Sequence, residues 1–271
     1  MSIGKLIGKG NTAEVYLWGK NDVIKIFDQR IPEGLIKNEY DANLQIQFLQ
    51  LPSPRAKGII EFEGKIGIIY KKLEGVSLTD LLSKNPFSIK KNAKLFSQLH
   101  FQIHQKDGNN LPKQKEYLLK NIQMTDLLTI QEKQSICEYL RSLPEGNQVC
   151  HGDFHPDHIL VSKDQVKVID WMTASSGNPI GDIAKTFIII KYTYLPKSMP
   201  HIIRMLLEVL RDNFCRYYLE EYEKQTGISM EEIEKWTLPV MASRLAEGVH
   251  PDEQQLLLQA VRSKYKEYIP N

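Results

Sequence analysis

The chain has 271 residues, 42% of them hydrophobic and 25% charged, with a formal net charge of only +2. That length buries a real core, as one large domain or two lobes, and the composition is that of a soluble globular enzyme. So small a net charge gives no reason to invoke nucleic acid or an anionic membrane as partner.

The first 70 or so residues are rich in short β-branched runs, at 14–18, 23–27, 58–62 and 66–70. Turn residues separate them (19–22 and 63–65), which predicts an antiparallel meander. A helix is expected between them over about 32–50, with Pro32 in its first turn and Leu35, Ile36, Tyr40, Leu44 and Phe48 on its apolar face. After Glu74-Gly75 the pattern turns helical, over about 89–105, 131–143, 200–224, 230–245 and 252–268, interrupted by one short hairpin at 159–161 and 166–169. The expected architecture is α+β: a small antiparallel β-rich N-lobe (1–73), a hinge near 70–75, and a larger helical C-lobe (74–271).

The three cysteines, Cys137, Cys150 and Cys215, lack metal-ligand spacing and fit free buried thiols in a reducing compartment. No apolar leader is evident, and the most apolar run, 183–195, is broken by Lys185 and Lys191. The sequence therefore reads as cytoplasmic.

Gly8-Lys9-Gly10-Asn11-Thr12-Ala13-Glu14-Val15 fits G-x-G-x-x-[GA]-x-V. Gly8 and Gly10 let a backbone turn tightly and approach phosphate oxygens with no Cβ in the way. A strand rather than a helix follows, which removes the dinucleotide-fold reading. Lys25 sits inside the apolar run Val23-Ile24-Lys25-Ile26, where a lysine needs a partner or an edge. It stands at a suitable reach from the glycine loop to contact phosphates, with Glu39 of the next helix available as ion-pair partner. The bland alternative is a snorkelling lysine and a solvated glutamate.

The most informative stretch is Val149-Cys150-His151-Gly152-Asp153-Phe154-His155-Pro156-Asp157-His158-Ile159-Leu160-Val161, followed by Val168-Ile169-Asp170-Trp171. His158 precedes one hairpin strand and Asp170 follows its partner, so both project from the same end of the hairpin. Asp153 lies on the loop leading in. Divalent-metal binding and in-line phosphoryl transfer need such a convergence of oxygen and nitrogen groups.

The order glycine loop, strand lysine, helix glutamate, H-G-D-x-H-x-x-x-I-L-V and I-D-W resembles the aminoglycoside phosphotransferase and choline kinase family, which has a protein-kinase-like fold. The resemblance covers nearly the whole chain, with its motifs in residues 8–39 and 151–182. It implies a small-molecule kinase that uses ATP or GTP with Mg2+, or Mn2+. Asp153 would be the base, Asp170 a metal ligand beside His158, and Lys25 a phosphate contact paired with Glu39. Residues Tyr70 to Leu73 would be the hinge whose backbone holds the nucleobase. Asp182 matches a later family aspartate, or else caps the helix that begins there. Most relatives carry Asn at the position of His158. Some aminoglycoside 2''-phosphotransferases resemble this chain in having His there and are active, and neutral imidazole is a competent ligand.

Two rivals remain. A protein kinase would carry Phe-Gly after Asp170 and an A-P-E beyond it, where this chain has Trp171-Met172 and no such tripeptide. A non-catalytic nucleotide sensor would keep the binding residues without turnover. His100 and His104 share a helix face but lack a third ligand in sequence, so they read as core histidines. Trp18, Trp171 and Trp236 read as buried packing. Residues 216–255 hold nine acidic side chains against four basic ones. They form either a solvated face or a wall that receives a cationic acceptor.

Overall fold

The computed structural model describes residues 3–10 and 12–269; Asn11 of the glycine loop lies outside them. The chain opens with strands β1 (Ile3–Lys9), β2 (Ala13–Trp18) and β3 (Asp22–Phe27), then helix α1 (Glu33–Phe48), β4 (Ala56–Phe62), β5 (Lys65–Lys71), β6 (Val76–Ser77) and α2 (Leu78–Lys84). Helices α3 (Ile89–His104), α4 (Gln114–Met124) and α5 (Ile130–Ser142) follow, then β7 (Gln148–Cys150), β8 (Ile159–Val161), β9 (Val166–Val168) and β10 (Ser175–Gly177). Helices α6 (Pro179–Tyr192), α7 (His201–Thr226), α8 (Met230–Arg244) and α9 (Pro251–Tyr268) complete it. The chain divides into two compact units, Met1–Leu81 with Pro156–Ala174, and Leu82–His155 with Ser175–Asn271.

The first unit is built on an antiparallel sheet in the order β1-β2-β3-β5-β4. Phe62 pairs with Lys65 across a two-residue turn in which Glu63 and Gly64 both have positive φ, the turn that matches the twist of a hairpin. Strand β1 was not anticipated, because Ile-Gly-Lys-Leu-Ile-Gly-Lys has few β-branched residues. It makes the glycine loop the turn between β1 and β2, with Gly8 opposite Val15. Helix α1 packs on β4 and β5.

The expected face of α1 is wrong by a rotation. The helix buries Ile36, Glu39, Ala42, Asn43 and Ile46, while Leu35, Leu44 and Phe48 are exposed. Apolar spacing misled here because two polar residues, Glu39 and Asn43, lie on the buried stripe and are satisfied there. Pro32 stands just outside the first turn, at the N-cap position.

A second, three-stranded sheet of the same unit runs β6-β8-β9. Gly75 enters it so closely that a Cβ there would lie 2.9 Å from the Val161 carbonyl oxygen. Ile159 pairs with Val168, and the Ile169 amide donates to the His158 carbonyl at 2.9 Å, so His158 and Asp170 flank the open end of the hairpin.

In the second unit α3 packs on α7, α6 on α8, and α4 and α9 also on α8. Helix α3 buries Ala93, Phe96, Leu99, His100, Ile103 and His104, the i, i+3, i+4, i+7 pattern of one helix face. Reciprocal capping boxes start α5 (Thr129 with Glu132) and α8 (Ser229 with Glu232). Gly227, at φ +76°, ends α7. Helix α6 is capped by Asn178, whose side chain accepts from the Ile180 amide, so Asp182 is not its cap. Among the described residues no helix is long and apolar enough to cross a membrane.

Candidate active site

Lys25 lies mid-strand in β3, opposite Val15 and Ile68. Its ammonium donates to both Glu39 oxygens, at 2.8 and 2.9 Å, and to Asp170 Oδ1 at 2.9 Å. Burial alone would lower the lysine's pKa; the Asp170 and Glu39 carboxylates outweigh it and raise it. Glu39 is 1% exposed and also accepts from the Tyr70 hydroxyl at 2.9 Å. Burial and the Glu39 carboxylate push the Tyr70 phenol well above its usual range, so it stays a donor. Asn43 in turn donates to the Tyr70 oxygen at 3.2 Å. The sequence placed Tyr70 at a hinge through its backbone; its side chain belongs to the lysine's network.

Two carboxylates therefore share one ammonium, Glu39 buried and Asp170 with 31% of its side chain exposed. His158 Nε2 stands 3.7 Å from Asp170 Oδ2. Asp170 holds φ +63°, a left-handed conformation that a non-glycine residue keeps only where its surroundings impose it. A carboxylate and an imidazole at this spacing offer the oxygen and nitrogen donors that a divalent cation takes. Trp171 is fully buried and donates its indole N–H to the Val168 carbonyl at 3.0 Å, a packing role. Gly8 lies in β1 and Gly10 just after it, its amide donating to the Ala13 carbonyl at 2.9 Å, and between them Lys9 pairs with Glu14. Leu73 follows β5 and is half-buried.

Asp153 belongs to the second unit. Its side chain is 37% exposed, with His155 Nε2 at 3.7 Å. The backbone leading to it is held by Asp182: Oδ2 accepts from the His151 amide at 2.6 Å and Oδ1 from the Gly152 amide at 2.8 Å. Gly152 has φ +78°, which glycine adopts without strain.

Asp182 Oδ2 also meets His100 Nε2 at 3.0 Å and His104 Nε2 at 3.1 Å. Tyr218 lies 2.7 Å from His100 Nδ1, and Tyr222 2.7 Å from His104 Nδ1. Burial pushes His100 down to about 3, so it is neutral near pH 7. The histidine hydrogen bonds to Asp182 outweigh its burial and hold it well below the carboxylate range. An ionised carboxylate only accepts, so each Nε2 donates to it, and the Nδ1 of neutral His100 accepts from the Tyr218 hydroxyl. The ligand atoms of this His–His–Asp cluster are thus fully engaged with protein protons.

The acidic stretch at 216–255 is largely paired within its own unit. Glu220, Glu221, Glu231 and Asp252 meet Arg216, Lys94, Lys235 and Lys197, and Glu232 serves its capping box. Glu247 Oε1 lies 2.6 Å from Lys185 and accepts from the Tyr117 hydroxyl at 3.1 Å. Arg244 donates to Glu247 and Glu253. Burial works against the Lys185 charge, but Glu247 first, with Asp153 contributing, raises it to about 12. These pairings favour the solvated-face reading of the stretch.

The chain matches the phosphotransferase enzyme family over residues 4–224. No curated protein matches it significantly by sequence. Similar solved structures include a thermostable mutant of aminoglycoside phosphotransferase APH(4)-Ia in ternary complex with AMP-PNP and hygromycin B, with a TM-score of 0.68 at 15% identity, covering 100% of this chain and 96% of that one. Amicoumacin kinase hAmiN in complex with AMP-PNP, Ca2+ and Ami gives 0.62 at 13%, covering 99% and 89%. A choline/ethanolamine kinase family protein from Mesorhizobium loti gives 0.60 at 11%, covering 98% and 88%. At these identities the likeness is one of fold, the protein-kinase-like phosphotransferase fold.

Lys25→Met leaves Glu39 buried without its cation and should cost about 3–5 kcal/mol. Adding Glu39→Gln should recover part of that loss, and urea denaturation of the single and double variants checks it; strictly additive losses would mean that the pair does not interact.

His100 is held neutral in the fold, whereas in the unfolded chain it takes up a proton below about 6.5. Its contribution is therefore complete above that pH and falls as pH drops from about 6.5 toward 3, by up to about 1.4 kcal/mol per pH unit. The contribution of Asp182, with its lowered pKa, is lost only as pH falls below its ordinary 3.8. Urea midpoints between pH 7 and 4 should decline less steeply in His100→Leu than in the wild type.

Proposed function

The chain belongs to the phosphotransferase enzyme family, enzymes that move phosphate onto hydroxyl groups, and from that membership we propose that it is a small-molecule kinase moving the γ-phosphate of ATP or GTP onto a metabolite or aminoglycoside-like acceptor. The observation that carries the reading is Lys25, an ammonium held at once by Glu39 and Asp170. A phosphate-contacting lysine needs that arrangement: a charge kept in place on a rigid strand. In this reading residues 1–73 bind the nucleotide, with Gly8 and Gly10 over its phosphates and the backbone of Tyr70 to Leu73 at the base. Residues 74–271 supply the catalytic aspartate and the acceptor site. The three buried free thiols fit a reducing compartment, the cytoplasm.

Asp153 takes the acceptor's hydroxyl proton as that oxygen attacks the γ-phosphorus and the bond to the bridging oxygen breaks. Its partial exposure and its anchored backbone support this role, since a base needs both access and a fixed orientation. His158 and Asp170 would hold Mg2+ or Mn2+, which when bound neutralises charge on the β- and γ-oxygens. The acceptor is a small hydroxylated molecule, cationic only if groups outside the paired acidic stretch receive it. A non-catalytic nucleotide sensor is the second reading, favoured by His158 standing where most relatives carry Asn. A phosphate-transfer screen with ATP and GTP across aminoglycosides, choline-like alcohols, homoserine and sugars tests the proposal. Nucleotide binding without transfer to any of them leaves the sensor.

Asp153→Asn is expected to fold and bind nucleotide normally while turnover falls by at least about 100-fold. Turnover near wild type would remove Asp153 from the mechanism. For His158, the ratio of manganese-supported to magnesium-supported activity is expected to be higher in the wild type than in His158→Asn. Magnesium prefers oxygen, whereas manganese takes imidazole nitrogen more readily. Equal ratios would mean that His158 does not touch the metal.

A further inference from the structure

Asp153 stands between two residues that are each fixed by a different contact. On one side, the amides of His151 and Gly152 are held by Asp182. On the other, Phe154 is fully buried, with the His100 ring stacked on it at 4.1 Å and 21°, and Phe96 against it at 4.3 Å. His100 takes part in both arrangements, since its Nε2 also donates to Asp182 at 3.0 Å. A leucine at position 100 would fill the core and pack on Phe154. It would not donate to Asp182, and it would leave the Tyr218 hydroxyl facing a methyl group.

The orientation of the ring is itself determined. The Tyr218 hydroxyl, on α7, donates to Nδ1 at 2.7 Å and so commits the proton to Nε2, the nitrogen that faces Asp182. A neutral imidazole with the other tautomer would set a lone pair against a carboxylate. Three helices (α3, α6 and α7) thus converge through one ring on the segment that carries Asp153.

We propose that His100 is a positioning residue for Asp153: a neutral imidazole, kept in its Nε2–H form by Tyr218, that fixes the backbone on both sides of the base. The proposal rests on Asp153 being the base. The imidazole never touches the reacting atoms; it acts through Asp182 and Phe154. A displacement of about 1 Å at a catalytic group costs on the order of 100-fold in rate, so a clamp of this kind is felt in turnover rather than in binding.

The test uses the full chain with Mg2+ and ATP, reading phosphate release to water, nucleotide affinity and the ring 15N spectrum of His100. His100→Leu is expected to stay folded and bind ATP as the wild type does, while kcat falls on the order of 10- to 100-fold with little change in KM for ATP. His100→Gln, whose amide can donate to Asp182, is expected to recover part of the lost kcat. At pH 7 the wild-type ring is expected to show a protonated Nε2 and a hydrogen-bonded, unprotonated Nδ1, and Tyr218→Phe should shift the Nδ1 signal. Wild-type kcat in His100→Leu, with Asp153→Asn inactive, overturns the positioning role and leaves the base intact. Wild-type kcat in both variants overturns the reading of Asp153 itself. Should His100→Leu fail to fold, the spectrum still decides, because a proton on Nδ1 at pH 7 overturns the proposal.

Discussion

Asp182 is a buried carboxylate that collects four N–H donors: two backbone amides and two imidazoles. An isolated ion at 1% exposure would be very costly, and a buried charge persists only when its lone pairs are filled. Here the requirement runs both ways. The turn at His151 and Gly152 is irregular backbone in the interior, and without the carboxylate its amides would lack partners. The carboxylate needs the loop and the loop needs the carboxylate, so the approach to Asp153 is set by mutual satisfaction of charge. The two histidines and two tyrosines behind it extend the arrangement into α3 and α7.

The first unit resolves its charges differently. Lys25 answers two carboxylates with one ammonium, and Tyr70 supplies only a neutral donor. Asp170 holds a left-handed backbone, with the His158 imidazole 3.7 Å away. A cluster selected for stability alone would do better as packed hydrocarbon. A left-handed backbone and a convergence of charged groups at one residue are features that cluster at ligand sites. Asp182 is engaged on both oxygens and is 1% exposed, whereas the Asp170 side chain keeps 31% of its surface open.

Much of this was legible in the sequence, for identifiable reasons. The strands β2 to β5, the long helices and the β8–β9 hairpin follow from periodicity and turn residues, and the Lys25–Glu39 pair from a lysine stranded in an apolar run. Strand β1 escaped because its pairing is imposed by β2 rather than by its own composition. The buried face of α1 escaped because tertiary hydrogen bonding to Lys25 and Tyr70 drew Glu39 and Asn43 inward, against their polarity. The Asp182 network escaped for a related reason. His100 and His104 were seen to share a face, and Tyr218 and Tyr222 share another at the same i, i+4 spacing. Two polar pairs of equal stride on two otherwise apolar helix faces are a signal, but only packing of α3 on α7 says that they face each other.

The acidic count of the C-terminal third misleads for the opposite reason. Composition registers charge but not whether that charge is already matched. Seven of the nine acidic side chains between 216 and 255 are taken up by lysines, arginines or a capping box. Both oxygens of Glu247, which pairs with Lys185, are engaged. Lys185 lies within electrostatic reach of Asp153, one turn along α6 from Asp182. That cation makes the surroundings of Asp153 less hospitable to a polycation than the raw count of acidic residues implies. The composition of helices α7 to α9 therefore says little about the charge that surrounds Asp153.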